Sequence, residues 1–170
     1  AAINHTLNEL LATSFEEVGE KVVKQTADKV VAKLYWWKGN VSLDGGIDKV
    51  ILPIEGYGLW STLYGFIALE ENGNDIYGLQ FYQHGETPGL GAEVDNPRWK
   101  ALWNGKKLRD EDGTLQITVA KSAPAAGRDY YIDALAGATL TSRGVDNLVR
   151  FWMGEDGYGP FLERLKAGEI

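Results

Sequence analysis

The clearest pattern of hydrophobic and polar positions along the chain predicts a β-hairpin over residues 61–83. In STLYGFIALEENGNDIYGLQFYQ, two runs rich in β-branched and aromatic residues flank the polar stretch ENGND, which is typical of a turn. The preceding DKVILPIEGYG predicts a short strand that is closed by Pro53 and the glycines at 56 and 58. Two further strands are predicted in GTLQITVAKS and DYYIDAL.

Helical patterns are found on both sides of these strands. Residues 4–12 predict an amphipathic helix, whereas residues 15–38 combine helical spacing with strand-like residues and are left open. NPRWKALWNGK predicts a helix with Asn96 as its N-cap, Pro97 at its first position and a stop at Gly105. The last two helices are predicted in TSRGVDNLVRFWMG and GPFLERLKAG.

The size and composition of the chain suit one globular domain. A length of 170 residues with 44% hydrophobic residues provides a packed core. We therefore predict a single α+β domain over residues 1–170, with a central antiparallel sheet flanked by helices. The net charge of −7 argues against nucleic acid or an anionic membrane surface as the main partner. No apolar run approaches the roughly 18 residues that a membrane span needs.

Several kinds of chemistry are disfavoured by the residues that the chain lacks. It has no Cys, and its only histidines are His5 and His84, so we predict no metal site and no catalytic residue. No GxGxxG follows a strand, so direct binding of NADH is not expected. Six Trp and eight Tyr, by contrast, suit a core or a pocket for a flat ligand.

The stretch DALAGATLTS, residues 133–142, lies where a predicted strand gives way to a predicted helix. One interpretation is that Thr139 or Thr141 caps the helix and that Gly137 forms a turn. The other is that the helix N-terminus holds a phosphate, with small residues at 136–138 leaving Thr139 open to a bulky group. The residues alone leave both interpretations open.

Two motifs carry a resemblance to a known family. Asp133 to Thr139 resembles the target pattern of flavin transferases, D-x-x-[S/T]-G-A-[S/T], and departs from it at Ala136. HGETPGLG, residues 84–91, is by itself also readable as a Pro-Gly turn. It resembles the signature loop of the FMN-binding domains found in sodium-translocating NADH:ubiquinone oxidoreductases and in the related Rnf complexes. The resemblance extends over about residues 45–165 and includes YGLWSTLYGF and FWMGEDGYGPFLERL.

This resemblance implies a covalent flavin. The phosphate of FMN would be esterified to Thr139, and a flavin transferase would recognise Asp133, Gly137, Ala138 and Thr139. Trp60 and Leu90 would face the isoalloxazine ring, while Glu86 and Thr87 would orient the ribityl chain or the pyrimidine edge. His84 is expected to be structural, and Lys121 is either near the flavin or a solvated strand-end lysine. The implied contacts besides Thr139 are Trp60, Glu86, Thr87, Gly89, Leu90, Gly91, Lys121, Gly137, Ala138, Leu140 and Thr141.

The function implied by the resemblance is electron transfer within a membrane redox complex. The domain would carry an electron on FMN as part of a sodium-pumping NADH:quinone oxidoreductase, with other subunits as partners and NADH bound elsewhere. The family places such domains on the periplasmic side of the inner membrane, anchored by an N-terminal helix that precedes the sequence given. Two alternatives remain: an Rnf-type carrier with the same cofactor, and a non-redox binding module in which Thr139 only caps a helix.

Overall fold

The structure is a computed structural model that describes residues 49–125 and 127–169, together with the backbone of residues 35–37. The helix predicted over residues 4–12, His5 and most of the mixed segment 15–38 lie outside the described residues. The backbone of Tyr35–Trp37, at the strand-like end of that mixed segment, forms a strand.

A four-stranded antiparallel sheet forms the centre of the described chain, in the order β1-β2-β3-β4. The predicted hairpin is confirmed as β3 and β4. In its turn, the side chain of Asn72 accepts the N–H groups of Asn74 and Asp75, both at 2.9 Å, and Gly73 has φ +65°. The strands are β1 Tyr35–Trp37, β2 Lys49–Tyr57, β3 Thr62–Glu70 and β4 Ile76–Gln83.

Strand β2 runs through Pro53, one of the residues predicted to close it, and ends at Tyr57, between the glycines at 56 and 58 that were also predicted to close it. The carbonyl oxygen of Pro53 accepts the hydroxyl of Tyr158 at 2.8 Å, so this side of the residue points away from β3. Because the N–H and C=O positions of a strand residue face the same side, the donor that proline lacks is not needed for pairing with β3. The prediction was wrong for Pro53, because sequence alone does not reveal which side of a strand a proline presents.

The second half of the chain supplies the helices and a two-stranded parallel pair, β5–β6, which the sequence did not predict as a pair. Asn96 is the N-cap of the first helix, its side chain accepting the N–H of Arg98 at 2.9 Å, as predicted. That helix is shorter than predicted, and turns lead from its end to Gly105. The elements are α1 Pro97–Ala101, β5 Thr118–Ala120, β6 Tyr131–Asp133, α2 Thr139–Met153 and α3 Gly159–Lys166, with short 3-10 helices at Gly91–Asp95 and Arg128–Tyr130.

Helix α2 lies against β2 and β5, and this packing positions the candidate site. Its buried side, which includes Val145 and Leu148, joins the core formed by the inner face of the sheet. Two glycines permit the close approach of α2 to β2: a Cβ at Gly56 would overlap Leu148, and one at Gly144 would overlap the carbonyl of Tyr57. The start of α2 is thereby held beside the segment that leaves β2. The observed architecture is an α+β fold, as predicted.

Candidate functional site

The structure brings the two sequence motifs into contact, although they are far apart along the chain. Gly137 adopts φ +73°, and a Cβ there would lie 3.1 Å from a methyl group of Leu90. A Cβ at Gly91 would lie 2.6 Å from the hydroxyl oxygen of Thr141. Glycine is therefore favoured at Gly137 by its backbone conformation, and at Gly91 by the lack of space for a side chain.

The loop of residues 84–91 is shaped by a tight turn at its tip. The carbonyl oxygen of Thr87 accepts the N–H groups of Leu90 at 3.1 Å and Ala92 at 3.0 Å. Gly89 has φ +74°, with no protein atom within 4 Å of the position its Cβ would occupy. Thr87, Gly89 and Leu90 are exposed, whereas Gly91 is buried. The tip thus presents backbone groups and several side chains, Thr87 and Leu90 among them, to solvent.

Glu86 is buried beneath this loop, with 5% of its surface exposed. One carboxylate oxygen accepts the N–H groups of Leu59, Trp60 and Ser61 at 3.0, 2.9 and 3.3 Å. The other accepts the hydroxyl of Thr141 at 2.6 Å. Burial by itself raises the pKa of Glu86, but the hydrogen bonds from Thr141 and the three N–H groups outweigh it, so the pKa lies below its usual value. The residue is held as a carboxylate inside the protein.

Apolar side chains surround the place where these segments meet. Trp60 is 66% exposed, Leu90 44% and Leu140 52%. The backbone N–H of Trp60 donates to Glu86, and a methyl group of Leu90 lies over Gly137. Large apolar side chains that remain exposed on segments that meet in this way favour a binding surface over a core.

The start of α2 differs from the interpretation in which Thr139 or Thr141 is its N-cap. The N-cap is Ala138, which makes no side-chain hydrogen bond, and Thr139 is the first residue of the helix. Thr141 donates to Glu86, while the hydroxyl of Ser142 donates to the carbonyl of Ala138 and accepts the N–H of Leu135, both at 2.9 Å. The hydroxyl of Thr141 is bound by a tertiary partner, and Thr139 already lies within the helix, so neither residue acts as the cap.

Thr139 is exposed and borders a groove of about 490 Å³ between β5 and α2. Lys121 and Arg143 line the same groove and give it positive charge. Asp146 also lines it, but one of its oxygens accepts the N–H of Val119 at 2.7 Å. Arg143 was missed by the sequence reasoning, although its position four residues after Thr139 places it on the same helix face.

Asp133, at the end of β6, is exposed and accepts the hydroxyl of Tyr131 at 2.7 Å. This hydrogen bond is the largest cause of a raised pKa for Tyr131. The carbonyl oxygen of Asp133 accepts the indole N–H of buried Trp99 at 2.8 Å. The backbone at Asp133 is therefore fixed to the core while its carboxylate reaches solvent.

His84 joins the loop to the following 3-10 helix. Its Nε2 lies 2.7 Å from a carboxylate oxygen of Asp95, and its Nδ1 accepts the N–H of Glu86 at 3.2 Å. Both ring nitrogens are used by protein groups, which is the arrangement of a structural histidine.

Known proteins are similar to this chain over the region that contains the site. Residues 58–154 match the FMN-binding domain family, and the match includes both motifs. The C subunit of the Na⁺-translocating NADH-quinone reductase of Pseudomonas aeruginosa is 57% identical over 132 residues, which cover 76% of this chain and 51% of the relative. The protein of the same name from Yersinia pestis is 47% identical over 141 residues, 82% of this chain and 52% of the relative.

Solved structures agree with these sequence matches. The crystal structure of NqrC from Shewanella oneidensis matches with a TM-score of 0.67 and 41% identity, over 75% of this chain and 58% of that one. The C subunit of the Parabacteroides distasonis reductase matches with a TM-score of 0.61 and 38% identity, over 67% of this chain and 56% of that one. The chain spans about half the length of the curated relatives it matches. No helix in the described part of the chain has both the length and the apolar character needed to cross a bilayer. Because the family match covers more than half of its residues, the chain belongs to the FMN-binding domain family.

Proposed function

We propose that this chain is the FMN-carrying, electron-transferring domain of an NqrC protein, the C subunit of a sodium-translocating NADH-quinone reductase, and that the phosphate of FMN is esterified to Thr139. The observation that carries the proposal is the difference in solvent exposure and hydrogen bonding among three neighbouring hydroxyls. Thr139 is exposed, whereas Thr141 and Ser142 are 1% and 2% exposed. Both buried hydroxyls are also engaged in hydrogen bonds. A modifying enzyme therefore finds Thr139 accessible and the other two hydroxyls closed.

The groove beside Thr139 fits a phosphate group. Lys121 and Arg143 line it, and Thr139 opens onto it as the first residue of a helix of 15 residues. The positive end of the helix dipole and the two cationic side chains both attract the negative charge of a phosphodiester. Lys121 is thus assigned to the phosphate, in preference to the solvated strand-end alternative.

The exposed apolar surface beside Thr139 fits the ring of FMN. An isoalloxazine is flat and largely apolar with polar edges, and it needs a surface on its faces and hydrogen bonds at its rim. Trp60 and Leu90 supply the faces, with Leu140 beside the attachment residue. The free backbone around Gly89, together with Thr87, supplies polar groups for the rim. Glu86 supports this surface from beneath and does not bind the ring directly, because its carboxylate is occupied by protein donors.

The remaining motif residues suit recognition by a flavin transferase. Asp133 presents an exposed carboxylate on a backbone anchored by Trp99. Gly137 turns the chain between Asp133 and Thr139, and Ala138 is buried as the helix N-cap. These small residues leave the approach to Thr139 open, which is what a transferase that delivers FMN requires.

Bound FMN supplies a ring that takes up and releases electrons, while the residues of this chain hold it in place. Covalent attachment suits such a carrier, because its exposed ring is not lost by dissociation. We place the domain on the periplasmic side of the inner membrane, anchored by a preceding helix and in contact with other subunits of the complex. The relatives named above are all C subunits of the sodium-translocating reductase or NqrC itself, which favours the sodium pump over the Rnf-type alternative.

The proposal is tested by intact-mass measurement of the acid-denatured chain after co-expression with a flavin transferase. The native chain is expected to gain the mass of FMN less one water. Thr139→Ala should fold and lose that addition, whereas the matched control Thr139→Ser keeps a hydroxyl at the same position and should retain it. A yellow protein whose flavin is released by acid would instead support a non-covalent binding module.

A further inference from the structure

Three separate segments of the site meet at the carboxylate of Glu86. Its Oε1 accepts the N–H groups of the turn after β2, at Leu59, Trp60 and Ser61. Its Oε2 accepts the hydroxyl of Thr141 in the first turn of α2, and is 3.2 Å from the N of Leu59. Glu86 itself belongs to the loop of residues 84–91. One side chain thus links the segment carrying Trp60, the loop carrying Leu90 and the helix that begins with Thr139.

The surrounding glycines provide the space for this carboxylate. A Cβ at Gly58 would lie 2.6 Å from Oε1, and one at Gly91 would lie 2.7 Å from Oε2. Any other residue at these positions would displace the carboxylate from its donors. Gly58 and Gly91 therefore leave room for the two carboxylate oxygens of Glu86.

The charge of Glu86 is balanced by dipoles rather than by a cation. Within the described ranges 49–125 and 127–169, no Lys, Arg or His forms an ion pair with it. A carboxylate accepts several hydrogen bonds at once, which a shorter or apolar side chain cannot do. Glutamine retains one acceptor oxygen for the three N–H groups, and its amide NH₂ can donate to the hydroxyl oxygen of Thr141. Gln is therefore a near-isosteric replacement, and Ala is a complete removal.

We propose that Glu86 is a positioning residue, whose carboxylate fixes Trp60 over the flavin relative to the helix that begins with Thr139. The inference rests on the proposed function for its effect on the flavin. It goes further by assigning Glu86 an indirect role: the residue acts on the ring through Trp60, without touching FMN.

The first test uses the full chain without flavin and measures hydrogen exchange of individual amides by NMR. Glu86→Ala should accelerate exchange at Leu59, Trp60 and Ser61 by about tenfold or more, since each amide loses a hydrogen bond to a charged acceptor. Glu86→Gln should retain most of the protection, and Glu55→Ala, an exposed glutamate on β2, should leave it unchanged. Unchanged exchange of the three amides in Glu86→Ala would overturn the proposal. Because no flavin is present, this result does not depend on attachment at Thr139.

The second test measures flavin fluorescence in the loaded chain as a double-mutant cycle with Trp60→Ala. Glu86→Ala should raise the flavin emission in the native background, because Trp60 is no longer held against the ring. It should have no further effect in the Trp60→Ala background. A merely structural role would change the emission in both backgrounds, and that outcome would overturn the inference.

A second variant covers the case in which Glu86→Ala does not fold. Thr141→Val keeps the branched shape of the side chain and removes the hydroxyl that ties Glu86 to α2. It should raise flavin emission in the native background and leave it unchanged in the Trp60→Ala background. An equal rise in both backgrounds would contradict the proposal. Intact mass in each variant reports separately whether FMN is attached.

Discussion

The packing of α2 on the end of β2 makes Gly144→Ala an informative substitution. Helix propensity alone predicts a gain, because alanine is more favourable than glycine in a helix interior by about 1 kcal/mol. In this structure, however, the new Cβ would lie 2.9 Å from the Cα of Gly58 and would overlap the carbonyl of Tyr57. These are backbone atoms and cannot move aside by rotating a side chain. Overpacking costs about 1–3 kcal/mol, which offsets or exceeds the propensity gain, so we expect a net loss of up to about 2 kcal/mol in the free energy of unfolding.

Urea denaturation followed by circular dichroism measures this change as a shift of the midpoint at constant slope. Asn147→Ala is the matched control, since Asn147 is exposed on the same helix and its replacement should change the stability by no more than about 0.5 kcal/mol. The same substitution at Gly144 should displace the segment that carries Trp60 and raise the emission of attached flavin. A Gly144→Ala protein that is more stable than the native chain by about 1 kcal/mol would refute the close contact.

Three further outcomes follow from the site. Trp60→Ala should keep the flavin bond at Thr139 but raise flavin fluorescence and shift the reduction potential, because a neighbouring indole quenches flavin emission; native emission and potential would place the ring elsewhere. Asp133→Ala, expressed with the transferase, should fold and remain largely unmodified by intact mass, whereas normal loading would reduce Asp133 to a surface acid. For Glu86, hydrogen bonds outweigh burial and lower the folded-state pKa below the usual 4.5, so its contribution to stability is present above that pH and lost as the pH falls through the folded value. The stability advantage of the native chain over Glu86→Gln should therefore shrink in urea titrations below about pH 4.5, and an advantage independent of pH would contradict this.

Helices, strands and turns were predictable where the residues that determine them lie close together in the sequence. The turn around Gly73 and the Asn96 cap use side-chain and backbone preferences that act over a few residues. Pro53 misled the strand prediction because its tolerance depends on which side of the strand it presents, and its carbonyl faces a distant residue, Tyr158. The parallel pairing of β5 with β6 is likewise a long-range choice that no local pattern encodes.

The site shows the same division between local and distant causes. The resemblance implied Trp60, Leu90 and Thr139 as site residues, and these remain predictions that the geometry supports. The N-cap interpretation failed because the helix already begins at Thr139 and because Glu86 accepts the hydroxyl of Thr141, a contact that joins residues 55 positions apart. Arg143 was within reach of sequence reasoning, since helical spacing from Thr139 was sufficient to find it.

The most direct test of the central claim is to locate the flavin on the native chain by peptide mapping. The chain is loaded by co-expression with the transferase and digested, and the flavin-bearing peptide is fragmented by tandem mass spectrometry. The added mass of FMN less water is expected on Thr139, with Thr141 and Ser142 unmodified. Flavin on Thr141 or Ser142, or on a peptide outside residues 133–142, would contradict it.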